Sequence, residues 1–346
     1  MYFTSEDIVR SADFITLGRR GEDKSEFLWA GSGVAVRLRC RELYADIFAD
    51  WSVSTPWAAV LIDGAPVARF PLQKGRARYA LLTGMDVGVE HEVALVRDTQ
   101  PIDGEDALTF RLEGLMADEA ELLEPALRPV IEFIGDSLTT GEGLTGPKPA
   151  EEWKTVYLAA SLTYAQTAVR LLDARGEWVS LSGWGVYTDW EGNTAHTLGS
   201  VYDSVCPLIK RGRMSYDFAE HPVDAVVINL GTNDAGALSK LREEDRPARL
   251  ADIHKAAVAL LWQIRKQRPA APILWIYGMC GDVLGATLAD AVREAAQELS
   301  GPPIEYLPLP ACPEEELGSR QHPGPVNHFH TAQLAAEALR RMMTAP

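Results

Sequence analysis

The chain has 346 residues, 47% of them hydrophobic, which is more apolar material than one core takes comfortably and enough for two compact domains. Its 33 Lys and Arg against 49 Asp and Glu give a formal charge of -16, which repels a phosphate backbone and argues against a nucleic-acid partner. No low-complexity tract, fixed-period repeat or bilayer-length apolar run is present, which sets aside disordered, solenoid and membrane-spanning classes.

The first residues, MYFTSEDIVR, lack the basic start and apolar run of a secretory signal, so the expectation is a cytoplasmic protein with no membrane partner. Cys40, Cys206, Cys280 and Cys312 stand far apart without C-x-x-C spacing. They read as reduced thiols rather than zinc ligands or a redox motif.

From residue 25 to 123 the chain runs in short stretches that alternate apolar and polar residues: 34–40 (VAVRLRC), 58–63 (AAVLID), 78–82 and 92–97. Alternation at period two marks half-buried strands. Asp63-Gly64, between AAVLID and APVARF, is a hairpin signature, because glycine accepts a positive φ at little steric cost. Regularly spaced short strands predict an all-β sandwich over residues 1–126. Trp51 falls in, and Trp57 directly follows, a stretch, 45–56, that reads as a non-periodic loop.

Beyond Pro125 the pattern changes. Apolar strands at 130–134, 225–230 and 273–277 alternate with helical stretches at 164–175, 248–267, 287–299 and 331–342. Strands buried on both faces and separated by helices predict a parallel sheet in a three-layer α/β/α domain over residues 127–346.

Four segments carry the chemistry, each at the end of a strand or the start of a helix. IEFIGDSL (131–138) delivers Ser137 where a doubly wound sheet offers its carboxyl edge to ligands, although Asp136 or Ser137 would serve equally as a helix cap. VSLSGWGVY (179–187) runs into a glycine-rich turn that lets a backbone amide approach a substrate oxygen. VVINLGTND (226–234) delivers Asn233, a carboxamide able to donate to a developing oxyanion. QHPGPVNHFHT (321–331) offers three histidines; His322, before a turn-forming proline, suits a base in a loop, whereas His328 and His330 approach or enter the helix and read as structural.

In this order the four segments resemble the serine, glycine, asparagine and histidine blocks of the SGNH hydrolase superfamily. The resemblance implies that Ser137 is the nucleophile and His322 its base, and that the amides of Ser137 and Gly185 with the Asn233 side chain form the oxyanion hole, Gly183 being the alternative to Gly185. With a β-rich domain ahead of IEFIGDSLTTGEG, the chain further resembles carbohydrate esterase family two, which pairs a jelly-roll domain with the hydrolase. That likeness implies removal of O-acetyl groups from mannan-, glucomannan- or xylan-derived oligosaccharides, without metal or cofactor. A lipase or small-ester hydrolase on the same scaffold, and a non-catalytic carbohydrate-binding protein, are the competing readings. Hydrolysis against acyl transfer stays open.

One position departs from the pattern. Most SGNH enzymes carry an aspartate three residues before the histidine, and here that residue is Ser319. The orienting group is then a backbone carbonyl, a nearby acid among Glu314, Glu315 and Glu316, or absent. Among aromatic residues near the blocks, Trp153, Trp184, Tyr187 and Trp190 are the candidates to face a pyranose ring. Trp262 and Trp275, within a helix and an apolar strand, read as core.

Overall fold

The computed structural model describes residues 1–344. The described residues form two compact units: residues 1–128 with 154–161 and 204–215, and residues 129–153, 162–203 and 216–344. The division is therefore not the single cut near 126 that the change of period suggests. Two short segments without strand or long-helix patterning group with the β-rich unit.

The first unit contains β1 (Tyr2–Thr4), α1 (Ser5–Arg10), β2 (Phe14–Leu17), β3 (Gly33–Arg39), β4 (Leu43–Asp50), β5 (Trp57–Ile62), β6 (Ala65–Pro71), β7 (Gly75–Leu82), β8 (His91–Arg97), β9 (Thr109–Ala117) and β10 (Glu121–Leu123). These strands pair antiparallel in two sheets, one ordered β1-β9-β4-β7 and the other β10-β3-β8-β5-β6 with β2 also on β3. Alternate side chains from both sheets, among them Val34, Val36, Ile47, Val60, Leu95 and Phe110, close one apolar core. The Asp63-Gly64 hairpin has both residues at positive φ, 51° and 77°, as a tight two-residue turn between twisted strands requires.

The first half of the expected loop at 45–56 is strand. β4 runs to Asp50 with Ala45, Ile47 and Ala49 buried, a period masked in the sequence by small residues. Trp51 packs on the core, and Trp57 opens β5 beneath the Arg69 guanidinium, 4.2 Å from its ring.

The second unit contains β11 (Val130–Gly135), α2 (Ser137–Thr140), α3 (Tyr164–Leu171), β12 (Arg175–Ser180), α4 (Leu198–Tyr202), β13 (Ala225–Asn229), α5 (Thr232–Ser239), α6 (Arg246–Gln267), β14 (Ile273–Tyr277), α7 (Gly285–Glu298), β15 (Ile304–Pro308) and α8 (Pro325–Thr344). The sheet is fully parallel, ordered β12-β11-β13-β14-β15. Ile131, Phe133, Ala225, Val227, Leu274 and Ile276 pack with α3 and α8 in one cluster. The alternate residues, including Ile134, Val226, Ile228 and Trp275, are equally buried, so both faces are covered, as the apolar runs predict.

Two helix boundaries differ from expectation. α3 ends at Leu171, Asp173 turns through φ 49°, and Arg175 already opens β12. α8 starts at Pro325 rather than near 331, because proline is tolerated in a first helical turn, where its missing N–H is no loss. Trp262 corrects another expectation. On α6 the buried stripe runs through Ile253, Ala257, Leu260, Leu261 and Ile264, and Trp262 lies off it with 48% of its surface exposed. Trp275 is core, its indole N–H donating to the Leu230 carbonyl at 3.2 Å.

Candidate active site

The order of the sheet reverses direction at β11, with β12 on one side and β13 on the other, which is where open α/β sheets bind ligands. Gly135 at the end of β11 is level with Ser180 of β12 and Asn229 of β13. The loops leaving these three strands carry Ser137, Gly183 and Asn233. The register therefore brings the three blocks to one edge.

Ser137 is the first residue of α2 and is only 5% exposed. Gly135 permits the tight strand-to-helix turn, since a Cβ there would collide with the Thr139 side chain. Asp136 caps α2, its Oδ1 accepting the Leu138 N–H at 3.0 Å. Complete burial pushes its carboxyl up to about 7. The capping reading thus belongs to Asp136, and Ser137 is left to face the cavity.

His322 sits in the loop between β15 and α8. Its Nε2 lies 2.9 Å from Ser137 Oγ, and its Nδ1 lies 2.9 Å from the Arg320 carbonyl oxygen. A carbonyl only accepts, so Nδ1 carries the proton and Nε2 is the free acceptor, the tautomer a general base needs. The acids left open by the sequence are not the orienting group. Glu314 pairs with Lys148 at 3.5 Å, and Ser319, in the usual aspartate position, is fully buried with no hydrogen-bond partner for its Oγ among the described residues. His328 is buried on α8 and accepts the Tyr164 N–H on Nδ1 at 3.0 Å; burial pulls it down to about 3, so it is neutral and structural. His330 is exposed on the same helix.

Ser137, Ser182, Gly183, Asn233 and His322, with Glu142, Arg320, Trp153 and Trp190, line a cavity of about 360 Å³, a size suited to a small ligand. Gly183 adopts φ +84°, and its N–H makes no hydrogen bond among the described residues. Asn233 Nδ2 donates to the Trp184 carbonyl at 2.8 Å and lies 3.3 Å from Asp136 Oδ2.

Gly185 is not in this lining. Its N–H points at the His196 carbonyl, 3.5 Å away, and a Cβ there would collide with the Thr188 carbonyl and the Asp234 carboxylate. The glycine does mark a close approach, but an approach of the loop to itself. Asp234, which sequence reasoning missed, holds that loop. Fully buried, it accepts the N–H groups of Val186 and Tyr187, each at 2.8 Å, and of Thr188 at 2.9 Å.

Of the four aromatic candidates, Trp153 (36% exposed) and Trp190 (53% exposed) line the cavity. Trp184 and Tyr187 do not. Trp184 stacks on His196 at 4.9 Å between ring centres, and Tyr187 lies under the Arg249 guanidinium at 5.3 Å. Arg320 and Glu142 also escaped sequence reasoning, although the GEG after the serine block is the one signal that pointed at the latter. Among the described residues no cluster of His, Cys, Asp or Glu fit to hold a metal is present, and no helix is long and apolar enough to cross a membrane. All four cysteines are free thiols.

Known proteins resemble this chain along most of its length. Cellulase/esterase CelE of Acetivibrio thermocellus is 26% identical over 274 residues, covering 78% of this chain and 31% of CelE, so the chain spans about a third of the curated relative it matches. The acetyl xylan esterase Est2A from the rumen bacterium Butyrivibrio proteoclasticus superposes with a TM-score of 0.92 at 29% identity, covering 99% of this chain and 98% of that one. A family two carbohydrate esterase from Clostridium thermocellum, solved with cellohexaose, shares the fold with a TM-score of 0.80 at 21% identity, over 95% and 98% of the two chains. The model of the GDSL-like Lipase/Acylhydrolase family matches residues 133–330, a span that contains Ser137, Gly183, Asn233 and His322. The chain belongs to that family of hydrolases, and its structural neighbours are family two carbohydrate esterases.

Proposed function

We propose that the chain is a serine esterase that removes O-acetyl groups from plant-type oligosaccharides, derived from xylan, mannan or glucomannan, through an acyl-enzyme. The observation that carries this reading is the 2.9 Å approach of His322 Nε2 to Ser137 Oγ, inside a small cavity walled by two partly exposed tryptophans. The likeness to Est2A supports the acetyl and sugar specificity.

In this mechanism His322 takes the hydroxyl proton as Ser137 Oγ attacks the acetyl carbonyl carbon. The imidazolium keeps its Nδ1–H on the Arg320 carbonyl. The oxyanion is held by the N–H groups of Ser137 and Gly183 and by Asn233 Nδ2, whose contact with Asp136 is long enough to yield. His322 then protonates the departing sugar oxygen. Water, activated by the same imidazole, attacks the acyl-enzyme and releases acetate. Trp153 and Trp190 offer flat faces to the sugar ring. A cavity of about 360 Å³ suits esters of short acids.

The test is acetate release from acetylated xylo-, manno- and glucomanno-oligosaccharides, with the remaining acetyl positions located by NMR and with long-chain esters and intact polymer as comparisons. Ser137→Ala is expected to lose on the order of 10⁴-fold or more in turnover. Preference for long acyl chains, or acetate release that survives loss of Ser137, would overturn the assignment.

A further inference from the structure

We infer that the ion pair of Glu142 with Arg320 is a positioning pair that holds the base of this dyad in place, an inference that rests on the esterase reading above. Arg320 lends His322 its main-chain carbonyl, and among the described residues nothing else accepts the Nδ1 proton. That carbonyl belongs to a residue at φ 55° and ψ 30°, followed by Gln321 at φ 58°. Two successive non-glycine residues in the left-handed region are strained, and such a turn persists only where its surroundings over-determine it.

Three bonds of Arg320 supply that constraint. Its N–H donates to the Ala150 carbonyl at 2.9 Å, its Nη1 to the Glu151 carbonyl at 3.0 Å, and its Nε to Glu142 Oε1 at 2.6 Å. Glu142 is 3% exposed, and its own N–H donates to the Ser137 carbonyl at 2.9 Å. The carboxylate is thus tied to the backbone of the nucleophile, the guanidinium to the backbone that orients the base, and the two meet in one short charged contact. Close packing reinforces the link: at Gly143, φ +85°, a Cβ would press on His322 Cβ and the Ser319 carbonyl at 2.7 Å each. In a Ser-His-Asp triad a carboxylate bonds the imidazole directly; here a carboxylate acts at one remove, through an arginine and a peptide carbonyl.

Both side chains also line the cavity, so direct contact with the sugar is the competing role. Steady-state kinetics on 4-nitrophenyl acetate, which has no sugar, together with the rate at which a fluorophosphonate probe labels Ser137, separate the two. In Arg320→Met and in Glu142→Gln, kcat and the labelling rate are expected to fall about 10- to 100-fold with KM within about twofold, as for a misplacement of a catalytic group by less than an ångström. The double variant is expected to be no worse than the worse single one, because both act through one contact. Arg320→Lys keeps a charge on Glu142 and is expected to recover part of the loss. Ser319→Ala, which removes a hydroxyl with no partner among the described residues, is the control and is expected to retain wild-type rates. If Arg320→Met melts below the assay temperature, Arg320→Lys and Glu142→Gln carry the comparison. Unchanged kcat and labelling in the folded variants, or a rise confined to KM on acetylated sugars, overturns the inference. Absence of labelling and turnover in the unmutated chain instead overturns the esterase reading.

Discussion

Asp234→Asn tests how the loop after β12, which carries Gly183, is held. In the native site Oδ1 accepts the N–H groups of Tyr187 and Thr188, and Oδ2 accepts that of Val186. An asparagine keeps the first two bonds but turns an NH₂ group on the Val186 N–H, so one bond is lost and two donors face each other in a buried site. Leaving one buried N–H unsatisfied costs about 1–3 kcal/mol. Asp234→Ala orphans all three and costs roughly 3–9 kcal/mol on the same scale, comparable with a whole domain's stability of about 5–15 kcal/mol. The asparagine variant is therefore the informative one. Urea unfolding should show a loss of about 1–3 kcal/mol. Because Gly183 rides on the same loop, kcat on 4-nitrophenyl acetate should fall on the order of 10- to 100-fold. Stability within about 0.5 kcal/mol of native, the range of an ordinary surface substitution, together with unchanged kcat, would refute the claim that this carboxylate sets the loop.

Two further outcomes follow from the site. If Asn233 donates to the oxyanion as proposed, Asn233→Ala should lower kcat by roughly 100- to 1000-fold, with a smaller effect on KM in steady-state assays. The second concerns pH. His328 is held at about 3, below its unfolded value, so its contribution is present above pH 6.5 and is lost as pH falls. Asp136 is held at about 7, above its unfolded value, so its contribution is present at low pH and is lost as pH rises from about 4 to 7. Between pH 4 and 6.5 the two slopes oppose. His328→Asn keeps an acceptor for the Tyr164 N–H but does not titrate, so its stability should gain about 1.4 kcal/mol per pH unit, relative to the native protein, as pH falls through that window. Chemical denaturation at pH 6.5, 5.5 and 4.5 measures it, and parallel profiles would contradict the assignment.

Much of the fold was legible because its signals are local. Period-two alternation marked β3, β5 and β8, and the Asp63-Gly64 pair marked its hairpin. Three strand ends and a loop ahead of a helix could be picked out in the sequence, and the structure brings Ser137, Asn233 and His322 from them to one cavity. What escaped was set by tertiary packing. That Gly183 rather than Gly185 lines the cavity depends on how the loop folds on itself, and no spacing records that. The orienting group of His322 is a main-chain atom, which no side-chain pattern can mark. Trp184 and Trp190 lie six residues apart, yet one stacks on His196 and the other lines the cavity, a difference made by the turn between them. Trp262 read as core because apolar neighbours surround it in sequence, whereas helical rotation carries it off the buried stripe.

The alignment of Gly135 with Ser180 and Asn229 has a consequence for how the protein tolerates change. Sliding a strand by one residue moves everything downstream by about 3.3 Å, several times the latitude of a hydrogen bond between nucleophile, base and donor. The sheet thus acts as a ruler for the reaction. Insertions inside β11, β12 or β13 should silence the enzyme even where the protein folds, while lengthening a connection remote from that edge leaves the spacing, and with it the chemistry, intact.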